Sequence, residues 1–222
     1  MKLSLRLGTL VAVAAAFGPA AAIGDTSASL DFDRVFNDRG GPAQSHYVAT
    51  YRLAGAVHGV EVWRDRDLQV RRRTDDAIET IAVRPPGTVE WSMTVLDLKR
   101  RVRTDVDRTN LYRIGHFTDW FALTHSLTRP VGAYSLQALP RTGTRLPVAL
   151  APCRWYALVQ QSRTSNICWS SAQRAPLVIS SGDGVVQWQI TVVDSRPLTP
   201  AVFAVVAPGF VHNDARKDIQ GD

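Results

Sequence analysis

The residues best equipped for chemistry are few. Cys153 and Cys168 bracket the stretch CRWYALVQQSRTSNIC; a thiol pair can be a cross-link, a pair of metal ligands, or a nucleophile with its partner. Two thiols are too few for a structural zinc site, and their spacing is unlike the Cys-x-x-Cys of a redox centre. In an oxidising compartment the simplest expectation is a disulfide between Cys153 and Cys168. Ser170 and Ser171 follow with no base in view, so they carry no signal of a nucleophile.

Five histidines, His46, His58, His116, His125 and His212, are scattered along the chain. A metal site needs three or four converging ligands, and no two of them stand four apart on a helix, so they are read as surface or satisfied core residues. The acidic pairs Asp31/Asp33, Asp65/Asp67, Asp75/Asp76 and Asp105/Asp107 fall at turns or strand ends, where Asp bonds local backbone. The G-x-S-x-G elbow, H-E-x-x-H, P-loop and Rossmann glycine patterns do not occur. The expectation is a protein that is not an enzyme, with no catalytic residues, no metal and no cofactor.

Binding is the more promising chemistry. Arg71, Arg72 and Arg73, and then Arg100, Arg101 and Arg103, form two basic clusters. Strand alternation places Arg71 and Arg73, with Arg101 and Arg103, on a solvated face that is either a plain charged surface or a patch for an anionic partner. Arg72 instead alternates with Leu68 and Val70 and is expected to face the apolar side. A guanidinium there needs a partner, either an ion pair or a ligand headgroup. Six tryptophans, at 63, 91, 120, 155, 169 and 188, serve mainly as core. Tyr51, Trp63, Arg72, Trp91, Met93 and Trp120 are the candidates to line a ligand cavity on the sheet's concave face.

The elements that position these residues follow from pattern. The opening MKLSLRLGTLVAVAAAFGPAAAIGD has the positive flank, short apolar run and small residues of a secretory signal. Cleavage is expected after Ala22, with no lipid-modified cysteine. No later segment reaches the roughly 20 apolar residues of a membrane span, so the mature chain is expected to lack a transmembrane segment and to be periplasmic. The formal charge of +6 comes from 26 Lys and Arg against 20 Asp and Glu. Loss of Lys2 and Arg6 with the signal brings it down by two. A charge this mild argues for no nucleic-acid partner.

Residues 23–44 are read as an N-terminal segment with a short helix that carries Leu30, Phe32, Val35 and Phe36. Residues 45–210 are read as a single β-rich domain. Its strands are the alternating runs SHYVATYRLAG, VHGVEVWRD, DLQVRRRT, AIETIAVR, TVEWSMTVLDL and RRVRTDVDR, with turn residues between them. Thr118 is expected to cap a short helix that presents Trp120, Leu123 and Leu127. Residues 134–152 read as an irregular Pro- and Gly-rich connection. Strands then resume at 154–160, 167–170, 176–180 and 185–193, with Ser181-Gly182-Asp183-Gly184 as a hairpin turn. PAVFAVV is read as a last strand, and 211–222 as a polar C-terminal tail. A hairpin turn at Arg163-Thr164 would put Cys168 opposite Val159 and leave Cys153 well beyond it. The bridge would then close a wide loop, or run from the Pro-rich connection onto the sheet; a direct cross-strand bridge requires the turn near Gln160-Gln161. The fold class is therefore mainly β: a curved antiparallel meander, an open half-barrel, with one or two short covering helices.

This order of parts, from signal, LDFDRVF and YVATYRLAG through VEWSMTVLDLKRRVRTDVD to a covering helix and VFAVVAPGF, resembles the LolA/LolB-like superfamily of bacterial envelope proteins. The resemblance is architectural and covers roughly residues 28 to 210. It implies a half-barrel whose concave face holds an amphiphilic or lipid-like ligand, or else an envelope accessory factor whose concave face is plugged by its own helix and which binds a protein partner. The extended middle, the cysteine pair and the lack of a lipidation cysteine depart from the carriers of that family.

Overall fold

A computed structural model of the chain describes residues 29–37, 41–107, 119–140, 152–194 and 196–214. The expected signal at 1–22, His116, Thr118, residues 141–151 of the expected connection and residues 215–222 of the expected tail lie outside the described residues. Among the described residues twelve strands form one open sheet that does not close into a barrel, with two short helices. The first six strands are β1 (Gln44–Leu53), β2 (Ala56–Asp65), β3 (Gln69–Thr74), β4 (Ile78–Val83), β5 (Ser92–Asp97) and β6 (Val102–Asp107). After them come β7 (Tyr134–Leu139), β8 (Arg154–Gln160), β9 (Arg163–Ser170), β10 (Ala175–Ser181), β11 (Val186–Asp194) and β12 (Val211–Asp214). The helices are α1 (Phe32–Val35) and α2 (Trp120–His125).

The sheet order is β12-β6-β5-β4-β3-β2-β1-β11-β10-β9-β8-β7. Two local meanders are thus joined where β1 pairs with β11, a contact between the two ends of the domain. Tight turns make each meander. Between β3 and β4, Asp75 and Asp76 both take left-handed backbone (φ 49° and 50°), and the Ala77 N–H returns to the Thr74 carbonyl at 2.9 Å. Asp tolerates that conformation, and a turn of this hand matches the twist of the strands it joins.

Register fixes which side chains share a face. The pairs Tyr47↔Val62, Val62↔Arg72, Ala49↔Val60, Arg64↔Val70, Val70↔Ala82, Ala82↔Met93 and Met93↔Val106 align one apolar face across six strands. The same face continues through Ile190 and Trp188 on β11 to Ile167 and Trp169 on β9. This face, termed inner here, carries both helices. Its β1–β6 and β11 part packs on Trp120 and Leu123, while Phe121 and Leu127 join Phe32, Phe36, Leu136, Leu158 and Trp169 in a second cluster. One six-residue helix therefore presents successive residues to both halves of the core.

Several expectations change. Residues 134–139, read as irregular connection, form the edge strand β7. The helix at the N-terminus is only one turn, capped by Asp31, whose carboxylate accepts the Arg34 N–H at 2.8 Å. PAVFAVV is no strand: Pro200 opens a 3-10 turn, Pro200–Phe203, because proline favours a helical first position and cannot donate to a ladder. The segment crosses the outer face, where the Val202 carbonyl accepts a 2.6 Å bond from Arg71 Nη1. Val211–Asp214, read as the start of a frayed tail, instead pair in parallel with Val102–Asp105 of β6. Among the described residues no helix is long and apolar enough to cross a membrane.

Candidate functional site

Helix α2 is too short to persist alone, and its ends are tied down. Asp119 caps it, its carboxylate accepting the Phe121 N–H at 2.9 Å; the expected cap, Thr118, is one residue early. The helix stops at Ser126, whose backbone is left-handed (φ 54°) and whose N–H returns to the Ala122 carbonyl at 3.0 Å. Trp120 Nε1 donates to Asp67 at 2.6 Å, its ring meets Trp91 edge-on at 5.4 Å, and Arg84 lies over it at 5.0 Å. Arg129 binds Asp119 at 2.5 Å and Asp33 at 2.8 Å while stacking over Phe121 at 4.4 Å, which links α2 to α1. Burial alone would lower the Arg129 pKa, but its bonds to Asp33 and Asp119 carry it above the usual value.

Beside α2 the inner face is not filled. A cavity of about 690 Å³ lies between the helix and strands β1, β3 and β11, lined by Tyr51, Arg72, Ala122, Ser126, Val131 and Trp188. Arg52, Arg129 and Asp119 also border it. The size falls within the range of small-molecule sites. Trp188 supplies a buried aromatic wall, its indole N–H donating to the Pro176 carbonyl at 2.8 Å. Val131 is exposed at the mouth.

Arg72 is the charged group that strand β3 contributes to this wall. It enters the inner face because it is paired with Val62 and stands two residues from Val70. Loss of hydration lowers its pKa, which the electrostatic influence of Tyr47 and Tyr51 partly offsets. Its hydrogen bond goes to a backbone oxygen, from Nη1 to the Leu123 carbonyl at 3.3 Å. No carboxylate among the described residues forms an ion pair with it, so the structural ion pair considered for this residue is not found there. The hydroxyls of Tyr47 and Ser126 are buried without hydrogen-bond partners.

The candidate residues divide three ways. Tyr51 and Arg72 line the cavity. Trp91, Met93 and Trp120 lie on the inner face but are packed into the core, 4%, 5% and 8% exposed. Trp63 is on the opposite face, because β2 turns Val62 and Arg64 inward and odd-numbered Trp63 outward. There it stacks on His46 at 5.0 Å and under Arg71 at 5.3 Å, and it does not share a cavity with Trp91. Trp188 and Ser126 are cavity residues that alternation alone did not single out.

The basic clusters are largely consumed by local partners on the outer face. Arg71 pairs with the buried Glu79 at 2.7 Å, Arg73 with Asp76 at 3.0 Å, and Arg103 with Asp105 at 2.9 Å. Arg101 donates to the Pro208 carbonyl at 2.9 Å. His46 bridges Glu61 (2.7 Å) and Asp194 (3.2 Å), His58 binds Asp75 (2.6 Å), and His212 binds Asp105 (2.9 Å). His125 is buried, stacked on Phe121 at 4.1 Å. Among the described residues no group of three or more His, Cys, Asp or Glu side chains is placed to hold a metal.

Cys153 and Cys168 are joined as a disulfide, with Cα atoms 5.4 Å apart. The hairpin turns at Gln161-Ser162, where Gln161 is left-handed (φ 54°), so Trp155 rather than Val159 faces Cys168. Cys153 sits just before β8 on the same face as Trp155, and the bridge runs diagonally from the strand entry onto β9. The shift from the turn at Arg163-Thr164 closes the gap that left Cys153 out of reach.

No model of a known protein family and no curated protein matches the chain.

Proposed function

We propose that this chain is a binding or carrier protein of the bacterial periplasm, with a LolA-like half-barrel that takes an amphiphilic, lipid-like ligand on its inner face. The observation that carries the reading is the cavity of about 690 Å³ beside α2, walled by Trp188, Tyr51 and Ala122 and containing Arg72. An apolar wall with a few polar groups suits a molecule that is mostly hydrocarbon with one polar end. The disulfide fits an oxidising compartment, and the signal-like opening supports export.

A second reading has its own support. Helix α2 buries Trp120, Phe121 and Leu123 against the sheet and joins both core clusters of the inner face. A helix so placed suits an envelope accessory factor that plugs its own groove and engages a protein partner instead. Native mass spectrometry and solvent extraction of the protein purified from an envelope fraction separate the two. Co-purifying lipid in the wild type, lost in a folded Ala122→Trp variant that fills the cavity, supports the carrier. An empty protein that also fails to bind a fluorescent fatty acid sinks it.

A further inference from the structure

The cavity carries a charge imbalance that bears on which amphiphile it takes. Its lining contains three guanidinium groups, Arg52, Arg72 and Arg129, and one carboxylate, Asp119. Asp119 is already engaged, accepting from Arg129 at 2.5 Å and from the Phe121 N–H at 2.9 Å. Arg129 is held between Asp119 and Asp33. Arg52 is exposed at the strand end, which leaves Arg72 as the lining cation of the inner face without a carboxylate among the described residues.

A guanidinium has five N–H donors in a planar fork suited to two oxygens of one anion. Among the described residues Arg72 makes one hydrogen bond, a long one of 3.3 Å to the Leu123 carbonyl. Arg72 is half-buried, and a cation partly withdrawn from water without a counterion gains from a bound anion. Ser126 also borders the cavity, where the helix ends in a left-handed residue, but its hydroxyl is itself buried. Tyr47 and Tyr51 are near enough to act on the Arg72 charge. Trp188, Ala122 and Val131 supply the apolar part of the wall.

We infer that the cavity is a site for an anionic amphiphile, whose carboxylate or phosphate group is held by Arg72 and whose alkyl chain lies against Trp188, Ala122 and Val131. The inference rests on the carrier reading and deepens it by giving the charge and orientation of the ligand. It makes Arg72 a binding residue and separates it from Arg71 and Arg73, which are spent on Glu79 and Asp76 on the other face.

The test compares four probes by isothermal titration calorimetry at neutral pH: dodecanoate, dodecyl phosphate, dodecanol and inorganic phosphate. Each is run, below its micellar concentration, on the wild type, Arg72→Gln and Arg72→Lys, with circular dichroism to verify folding. The expected result is that at least one of the two anionic amphiphiles binds tenfold or more tightly than dodecanol. Arg72→Gln removes that preference while leaving dodecanol binding within about twofold, and Arg72→Lys retains part of it; a preferred anion worth one charge-assisted contact gives a change of this size. A preference for dodecanoate assigns a carboxylate head, and one for dodecyl phosphate a phosphate head. Equal binding of dodecanol and both anions overturns the headgroup assignment and leaves the carrier reading standing. Binding of none of the alkyl probes overturns both. Inorganic phosphate binding as tightly as dodecyl phosphate overturns the amphiphile and leaves a small-anion site. If Arg72→Gln does not fold, wild-type competition between dodecanoate and its methyl ester decides: an acid that competes tenfold or more strongly than its ester supports the inference, and an ester that competes as well as the acid overturns it.

Discussion

Replacing Trp120 by alanine tests whether α2 belongs to the folded core or merely rests on it. The indole is 8% exposed, meets Trp91 at 5.4 Å and donates to Asp67 at 2.6 Å. Truncating a buried aromatic of this kind costs about 4 kcal/mol, the middle of the 3–5 range for Phe or Trp to Ala. With a urea dependence of ~2 kcal/mol per molar, the unfolding midpoint should fall by ~2 M. The domain should remain folded, since typical stabilities are ~5–15 kcal/mol. Because α2 is one and a half turns long and held by both its tryptophan and Arg129, its amides at 120–126 should lose protection from hydrogen exchange before those of β1 and β2. Trp120→Phe separates the contributions. It keeps most of the ring packing and loses the bond to Asp67, whose side chain is 52% exposed, so its cost should be ~1 kcal/mol. A Trp120→Ala midpoint within 0.5 M of wild type by this ~2 kcal/mol-per-molar scale, with unchanged exchange at α2, would refute the claim that this indole anchors the helix.

Three further outcomes are expected. Reduction of Cys153–Cys168, or the double Cys→Ala variant, should lower stability by ~3 kcal/mol in urea melts, from the chain-entropy cost of a 15-residue loop; two freely titrating thiols in the unreduced protein would contradict the bridge. Gly41→Ala should lower the thermal midpoint, because a Cβ there would meet the Ser171 carbonyl oxygen at 2.7 Å and the Arg174 side chain. The cost of such overpacking is ~1–3 kcal/mol, and an unchanged midpoint would show that the 171–174 turn gives way freely. Acid should destabilise the fold through Asp75, Asp105 and Asp194. Bonds from His58 and the Gly59 N–H lower the first; burial raises the second but bonds from Thr94, Arg103 and His212 outweigh it; Arg196 lowers the third. A depressed carboxylate pKa gives stability that is present above the unfolded value and is lost as pH falls through the folded one, so the loss should begin below pH ~4. Asp105→Asn should flatten part of that slope in chemical melts at pH 2 to 7, and an unaltered slope would remove Asp105 from the set.

The strands were legible because alternation is a local signal. Val60, Val62, Val70 and Ala82 declare the inner face, and the same parity correctly turned Arg72 inward. The same parity turns Trp63 outward, against its place among the cavity candidates: its neighbours Val62 and Arg64 occupy the inner side, and its partners, His46 and Arg71, are charged or titratable groups on adjacent strands. Arg64, 2% exposed, was hidden for the opposite reason, since its donors go to the Gln173 and Arg174 carbonyls more than a hundred residues away. The pairing of β1 with β11 is non-local and left no trace in either strand, so Trp188 could not be set beside Tyr51 in advance. Strand β12 and the 3-10 turn fell to context: a polar VHND becomes a strand because β6 offers it an edge, and the apolar PAVF cannot pair because it opens on proline. The cysteine register depended on one left-handed residue, Gln161, which glutamine does not advertise.

The central claim is that the space beside α2 receives the alkyl part of a ligand, and photo-cross-linking tests it most directly. A diazirine-bearing fatty acid, irradiated on the intact protein and mapped by peptide mass spectrometry, should label Tyr51, Trp188 or residues 122–131, and excess unlabelled fatty acid should suppress that labelling. Labelling confined to the outer face around Trp63 and Phe203, or unaffected by the competitor, would contradict it.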